Sequence, residues 1–192
     1  MGYEIPAGIG VRLATPDQNK RVLVFIGDGT FVMAPTELVT AAQEGINMTV
    51  VVSENHGYQV IRRLQMWRVG HHFGNEFRYR QAGPSVAEAG DTNVSVPRLD
   101  GDYLAIDIVK MSEGMGATGI YASTPREIRK ALADARTLIG PVVIVVPTIQ
   151  HANLPASNVW WDVAPAEVST QPWVAAIRTD YEAGLSTQRW HA

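Results

Sequence analysis

Val24–Tyr58 reads VFIGDGTFVMAPTELVTAAQEGINMTVVVSENHGY. Two β-branched, nearly continuous apolar runs, Arg21–Gly27 and Met48–Ser53, bracket a stretch of helical character. Runs of this kind, apolar at every position rather than at alternate ones, are strands of a parallel sheet covered by helices on both faces. The intervening Pro35–Glu44 has proline in its first turn and Glu37 where the helix dipole favours an acid, and it stops at Gly45. Ala34 stands where a capping Ser or Thr is expected, which forgoes about 1 kcal/mol. Strand, helix, strand predicts a right-handed crossover with both strand ends at one sheet edge. Neighbouring strands lie about 4.8 Å apart. Asp28 and Asn55, each just past its strand and 55 − 28 = 27 positions apart, therefore converge. They do so at the edge where open α/β sheets bind ligands.

Outward from this core the same grammar continues. Val142–Val146 is a third strand-like run. Thr124-Pro125-Arg126-Glu127 is a capping box with proline at N1, opening a helix to about Leu138 ahead of Gly140-Pro141. Further helices are expected over Ile106–Gly114 and Trp173–Ala183. The order predicts an α/β fold: an open, mainly parallel sheet with helices on both faces. Ala82–Asp102, rich in Gly, Pro, Ser, Asn and Asp, has no period and reads as a long loop.

Composition bounds the function. The 192 residues, 46% hydrophobic and 18% charged, suit one soluble globular domain. A net charge of -3 gives no electrostatic reason to expect nucleic acid or an anionic membrane as partner. The absence of cysteine excludes disulfides and thiolate metal sites. Val22–Ile26 and Val142–Val146, the longest apolar runs, are far too short to span a bilayer. MGYEIPAGIG lacks a basic start and an apolar signal core, so a cytoplasmic location is expected.

The chemistry turns on a missing charge. Glycines flank Asp28 as they would in a phosphate-binding loop, yet no lysine or arginine occurs from Val22 through Ile61. A phosphate about 4 Å from a bare carboxylate costs roughly 4 kcal/mol at an effective dielectric near 20. A hard divalent cation removes the conflict. Mg²⁺ accepts a carboxylate (Asp28), an amide oxygen (Asn55), a backbone carbonyl (Gly57) and phosphate oxygens together.

Gly27-Asp28-Gly29, then twenty-five residues, then Asn55-His56-Gly57 resembles the motif of thiamine diphosphate-dependent enzymes. Glu54 departs from it, standing where many members carry a second asparagine. MGYEIPAGIGVRLA is similar to the helix leading into the cofactor-binding module of the acetolactate synthase group. ELVTAAQEG, LQM, FGNEFRYR, GDYLAID and WWDVAPAEVS together resemble its 3D-(3,5/4)-trihydroxycyclohexane-1,2-dione hydrolases of myo-inositol catabolism. The resemblance runs from Met1 to Ser169 and covers only the final third of such an enzyme.

That resemblance implies thiamine diphosphate and Mg²⁺ as cofactors. Its cofactor set is Met1, Gly27, Asp28, Gly29, Thr30, Asn55, Gly57 and Tyr58. Asp28, Asn55 and Gly57 hold the metal, Gly29 and Thr30 hydrogen-bond the diphosphate, and Met1 supports the bend between the rings. It implies hydrolytic opening of the cyclic dione to 5-deoxyglucuronate; a decarboxylase or carboligase acting on a 2-oxoacid, or a non-catalytic assembly protein, are the alternatives. The activating glutamate of the family lies on a pyrimidine-binding module, and Glu37, Glu44 and Glu54 do not replace it. No catalytic residue is therefore assigned. The expected organisation is a diphosphate-binding module over 1–155 and an extension over 156–192. Met1 is expected to be an internal position of a longer coding sequence, with the pyrimidine module upstream or on a partner chain, and the assembly a homo-oligomer.

Other features are weaker. Arg78 and Arg80 fit either substrate hydroxyls or a partner chain, or equally a solvated basic loop. Adjacent histidines His71 and His72 diverge and have no third ligand nearby. His56 is expected to point away from the metal turn. Trp67, Trp160, Trp161 and Trp173 read as packing or interface anchors. Gly8-Ile9-Gly10 is neither a dinucleotide fingerprint nor a P-loop.

Overall fold

Val24, Val50 and Val143 lie side by side on three parallel strands, and Ile26, Val52 and Val145 repeat the row two residues on. These six side chains are buried in one core. The computed structural model describes residues 1–17, 19–69, 72, 74–80, 99–150 and 164–189. It divides into two compact units, Met1–Gln59 with Leu104–Gln150 and Val60–Tyr103 with His151–Ala192. The expected module boundary at 155/156 lies outside the described residues, as do most of Ala82–Asp102, Phe73, His71, Trp160 and Trp161.

The first unit is built on four parallel strands: β1 (Val22–Gly27), β2 (Met48–Glu54), β3 (Thr118–Tyr121) and β4 (Val142–Pro147), in the order β1-β2-β4-β3. Apolar residues at successive positions of β2 and β4 serve both faces. Val50, Val52, Val143 and Val145 enter one core with Ile5, Ile9, Phe31 and Leu38, while Val51, Val142 and Ile144 enter the other with Ala122, Ala131 and Ala135. The edge strand β1 departs from the expected two-sided burial: Val24 and Ile26 are buried, but Leu23 and Phe25 are 60% and 72% exposed. An apolar run alone cannot distinguish a central strand from an edge strand.

Six helices follow the chain through this unit and out of it. The first, α1 (Glu4–Ala14), tolerates Pro6 in its opening turn. It packs so closely on β1 that a Cβ at Gly8 would stand 2.5 Å from Val24 Cγ2. Next come α2 (Asp28–Met33), α3 (Glu37–Gln43), α4 (Gln59–Val69), α5 (Ile108–Gly114) and α6 (Pro125–Asp134). The sequence signals neither α2, which is only six residues long, nor the four-residue β3, nor α4.

The expected helix over Pro35–Glu44 is corrected at its start. Thr36 is the N-cap of α3, Ala34 ends α2, and Pro35 sits in the turn between them, its carbonyl accepting Leu38 N–H at 3.0 Å. The capping box of α6 forms, with Thr124 Oγ1 accepting Glu127 N–H at 3.2 Å and Glu127 Oε2 accepting Thr124 N–H at 3.0 Å. That helix ends at Asp134 rather than Leu138. Asp107 caps α5 by accepting Lys110 N–H at 3.0 Å, which moves its start from Ile106 to Ile108.

In the second unit, α7 (Pro172–Ser186) has proline at its first position and outruns the expected Trp173–Ala183 at both ends. A second feature there has no sequence signal. Glu76, 6% exposed, receives Arg78 Nε at 3.0 Å and the Tyr103 hydroxyl at 2.9 Å, with Arg62 Nε at 3.5 Å. The Arg78 guanidinium lies 3.7 Å from the centroid of the Tyr103 ring and donates to Gly101 O at 2.9 Å. Arg78 is therefore committed to a buried ion pair rather than to a solvated loop, whereas Arg80 is exposed.

Candidate functional site: the Asp28–Asn55–Gly57 edge

Strands β1 and β2 end together, Gly27 opposite Ser53, so the residues that follow them share one edge. Asp28 leaves β1 directly into the first turn of α2 and is 2% exposed. Its orientation is fixed by main-chain donors. Oδ1 accepts Gly29 N–H at 2.8 Å; Oδ2 accepts Asn55 N–H at 3.0 Å and Gly57 N–H at 3.1 Å. The turn after β2 makes the double donation to Oδ2. His56 takes the left-handed conformation at φ 60 and Gly57 sits at φ 137, which aims alternate N–H groups at one oxygen. A non-glycine residue pays about 1 kcal/mol for that backbone.

Burial pushes the Asp28 carboxyl above its usual range, and the main-chain donors of Asn55, Gly29, Gly57 and His56 pull against it. Among the described residues no lysine or arginine forms an ion pair with it. The neighbouring Glu54 is also raised, first by burial, with His56 lowering it and Asp28 and Asp107 raising it further. Asp28 is thus held at this edge by main-chain donors with no lysine or arginine paired to it among the described residues, in line with the lysine-free stretch of sequence.

One further contact bears on what the edge can hold. The Asn55 carboxamide is hydrogen-bonded when Nδ2 faces inward, donating to Asp28 Oδ1 at 3.1 Å and to the Gly57 carbonyl oxygen at 3.0 Å. A carboxylate, a carboxamide and a backbone carbonyl thus touch at one edge. All three carry the hard oxygen ligands that Mg²⁺ takes, so the chemistry of these residues fits the group that the sequence points to.

The two glycines beside Asp28 are not equivalent. A Cβ at Gly29 would stand 2.7 Å from Tyr58 Cδ1, 2.9 Å from Cε1 and 3.2 Å from the Gly57 carbonyl carbon, whereas a Cβ at Gly27 meets nothing within 4 Å. Gly29 is required because the Tyr58 ring covers the start of α2, a contact the sequence does not announce. Thr30 follows in the same turn, half-buried. Met1 is 63% exposed, and the adjacent Gly2 passes Ala34 Cβ and Met33 Cβ at the end of α2. All eight residues of the expected cofactor set thus belong to the first unit; Asp28 is hydrogen-bonded to Gly29, Asn55 and Gly57, and the Tyr58 ring packs beside Gly29.

Residues 1–146 match the family described as thiamine pyrophosphate enzyme, C-terminal TPP binding domain. The chain belongs to that family. The thiamine pyrophosphate match runs from the segment before α1 through nearly all of β4, the whole sheet that carries the edge. Among its relatives, a 3D-(3,5/4)-trihydroxycyclohexane-1,2-dione hydrolase of Geobacillus thermodenitrificans is 34% identical over 189 residues, 98% of this chain and 27% of the relative. A 3D-(3,5/4)-trihydroxycyclohexane-1,2-dione hydrolase 1 of Bacillus cereus is 32% identical over 186 residues, 97% of this chain and 26% of the relative. The chain spans about a quarter of the length of these curated relatives. A solved thiamine diphosphate-dependent 4-hydroxybenzoylformate decarboxylase of Rhodococcus jostii superposes with a TM-score of 0.60 at 26% identity, over 79% of this chain and 24% of that one. No helix among the described residues is long and apolar enough to cross a membrane.

Proposed function

We propose that this chain is the diphosphate-binding module of a Mg²⁺- and thiamine diphosphate-dependent hydrolase. Its substrate would be a trihydroxycyclohexane-1,2-dione, opened by carbon–carbon cleavage to 5-deoxyglucuronate. The observation that carries the metal is the contact, at one edge, of three residues that own hard oxygen ligands, Asp28 Oδ1, Asn55 Oδ1 and Gly57 O. In this reading those three atoms hold Mg²⁺, and Gly29 and Thr30 bind the diphosphate beside it. Gly27 and Tyr58 shape the turn around them, and Met1 supports the cofactor between its rings. The cofactor, when bound, supplies a stabilised carbanion for attack on a carbonyl. The residues here bind and orient it. Asp28 is locked by three main-chain donors, and the Tyr58 ring packs beside Gly29.

The substrate class rests on the 34% and 32% identity to the named hydrolases. A 2-oxoacid decarboxylase is the second reading, favoured by the likeness to the solved 4-hydroxybenzoylformate decarboxylase. The activating glutamate would come from a pyrimidine-binding module supplied by a longer polypeptide or a partner subunit, in a cytoplasmic homo-oligomer. The isolated chain is then expected to bind cofactor without turnover. Thermal unfolding with thiamine diphosphate plus MgCl₂ tests the binding: an upward shift in the wild type, lost in Asp28→Ala, is expected. An equal shift in both proteins, or none in either, would refute the site. Ring opening of the dione by this chain alone would refute the division of labour.

A further inference from the structure

The oxygen-lined edge has to survive in the absence of a cation. With Oδ1 of Asn55 turned inward, it stands 3.1 Å from Asp28 Oδ1 and 3.0 Å from Gly57 O, and the first of these belongs to a buried carboxylate. No hydrogen then lies between the three oxygens. Rotating the carboxamide by a half-turn about its Cβ–Cγ bond exchanges Oδ1 for Nδ2. The amide then donates to Asp28 Oδ1 at 3.1 Å and to Gly57 O at 3.0 Å, matching its two hydrogens to the two acceptors.

On the reading of this edge as a cation site, we propose that Asn55 is the site's own stopper. In the cation-free molecule its Nδ2 occupies the position next to Asp28 Oδ1 and Gly57 O. Divalent cation binding turns the carboxamide over to present Oδ1. The main chain does not need to move. Asn55 N–H is held by Asp28 Oδ2 at 3.0 Å, and Asn55 O accepts Gln59 Nε2 at 3.0 Å, so the backbone is pinned on both sides. The terminal torsion of asparagine is broad and roughly two-fold, so the turn crosses no strained rotamer. The buried carboxylate is satisfied in both states, through N–H groups in one and facing a cation in the other. Bare cation must displace two hydrogen bonds to enter, which favours its arrival together with a diphosphate that adds further ligands.

The test follows the Asn55 side-chain amide by ¹⁵N NMR, assigned by its loss in Asn55→Asp, during titration with MgCl₂ and then with thiamine diphosphate. The expected result is a carboxamide whose protons exchange at least about tenfold more slowly than those of exposed asparagines before Mg²⁺, and lose that protection once Mg²⁺ and diphosphate bind. Thermal unfolding gives an independent readout. Asn55→Asp removes the donor and sets two carboxylates side by side, so without cation its Tm falls by about 3 °C or more, while its gain on adding MgCl₂ exceeds that of the wild type. Unprotected amide protons before Mg²⁺, or a cation-free Asn55→Asp as stable as the wild type, overturn the stopper while a wild-type response to Mg²⁺ leaves the metal site standing. No response of wild-type Tm or amide signals to MgCl₂ with thiamine diphosphate removes the metal site and the stopper together.

Discussion

Asp28 and Glu76 are both buried carboxylates, 2% and 6% exposed, and they are satisfied in opposite ways. Glu76 sits among charges of the other sign: Arg62 and Arg78 face one oxygen and the Tyr103 hydroxyl the other. Asp28 is met by peptide N–H groups and the Asn55 carboxamide, and by no lysine or arginine among the described residues. Peptide dipoles orient a carboxylate and lower its cost, but they do not cancel its charge. A buried acid with matched cations is complete, and its role is to hold its surroundings together. One held rigidly by main-chain dipoles, with no lysine or arginine paired to it among the described residues, is on the proposed reading a metal ligand. The difference is one that experiment can test without reference to any relative.

This contrast can be broken experimentally, and the largest effect belongs to Glu76. Glu76→Gln leaves two partly buried guanidinium groups facing a neutral amide, and about 3 kcal/mol of stability should be lost, the low end for breaking a buried pair. Trp67 and Trp173 lie in the second unit, and the residue ranges of the first contain no tryptophan, so urea unfolding followed by tryptophan fluorescence reports this loss. A change below about 1 kcal/mol would mean that water already screens the cluster.

Gly29→Ala comes next. The new methyl meets the Tyr58 ring and the Gly57 main chain, so a cost of about 1–3 kcal/mol is expected. The thermal response to cofactor should weaken with it. Gly27→Ala is the control, with open space around its Cβ and an expected change within about 0.5 kcal/mol. Equal effects at the two glycines would show that Tyr58 does not pack on α2 as described. Asp28→Asn should give a smaller net change than Gly29→Ala in the cation-free protein, within about 1 kcal/mol of either sign, because removing a buried charge offsets the lost acceptor strength. Circular dichroism of urea unfolding without divalent ions measures it. A loss as large as that of Glu76→Gln would place Asp28 among structural acids and end the comparison.

The chain's own order of residues determined a good deal. Nearly continuous apolar runs at Val22–Gly27, Met48–Glu54 and Val142–Pro147 point to a parallel sheet, and the second and third of them are buried at successive positions as strands covered on both faces are. The crossover between the first two strands then brings Asp28 and Asn55 together, since parallel strands joined by a helix must end at the same edge. The capping box at Thr124 fixes a helix start by purely local hydrogen bonds. Tertiary structure alone decided the rest. It made β1 an edge strand with Leu23 and Phe25 exposed, laid Tyr58 over Gly29, and drew Glu76, Arg78 and Tyr103 into one cluster across 27 positions. The reason is physical. Local periodicity records which faces of a segment are apolar, whereas the partner that fills each face, and the charge that answers each buried acid, come from segments distant along the chain.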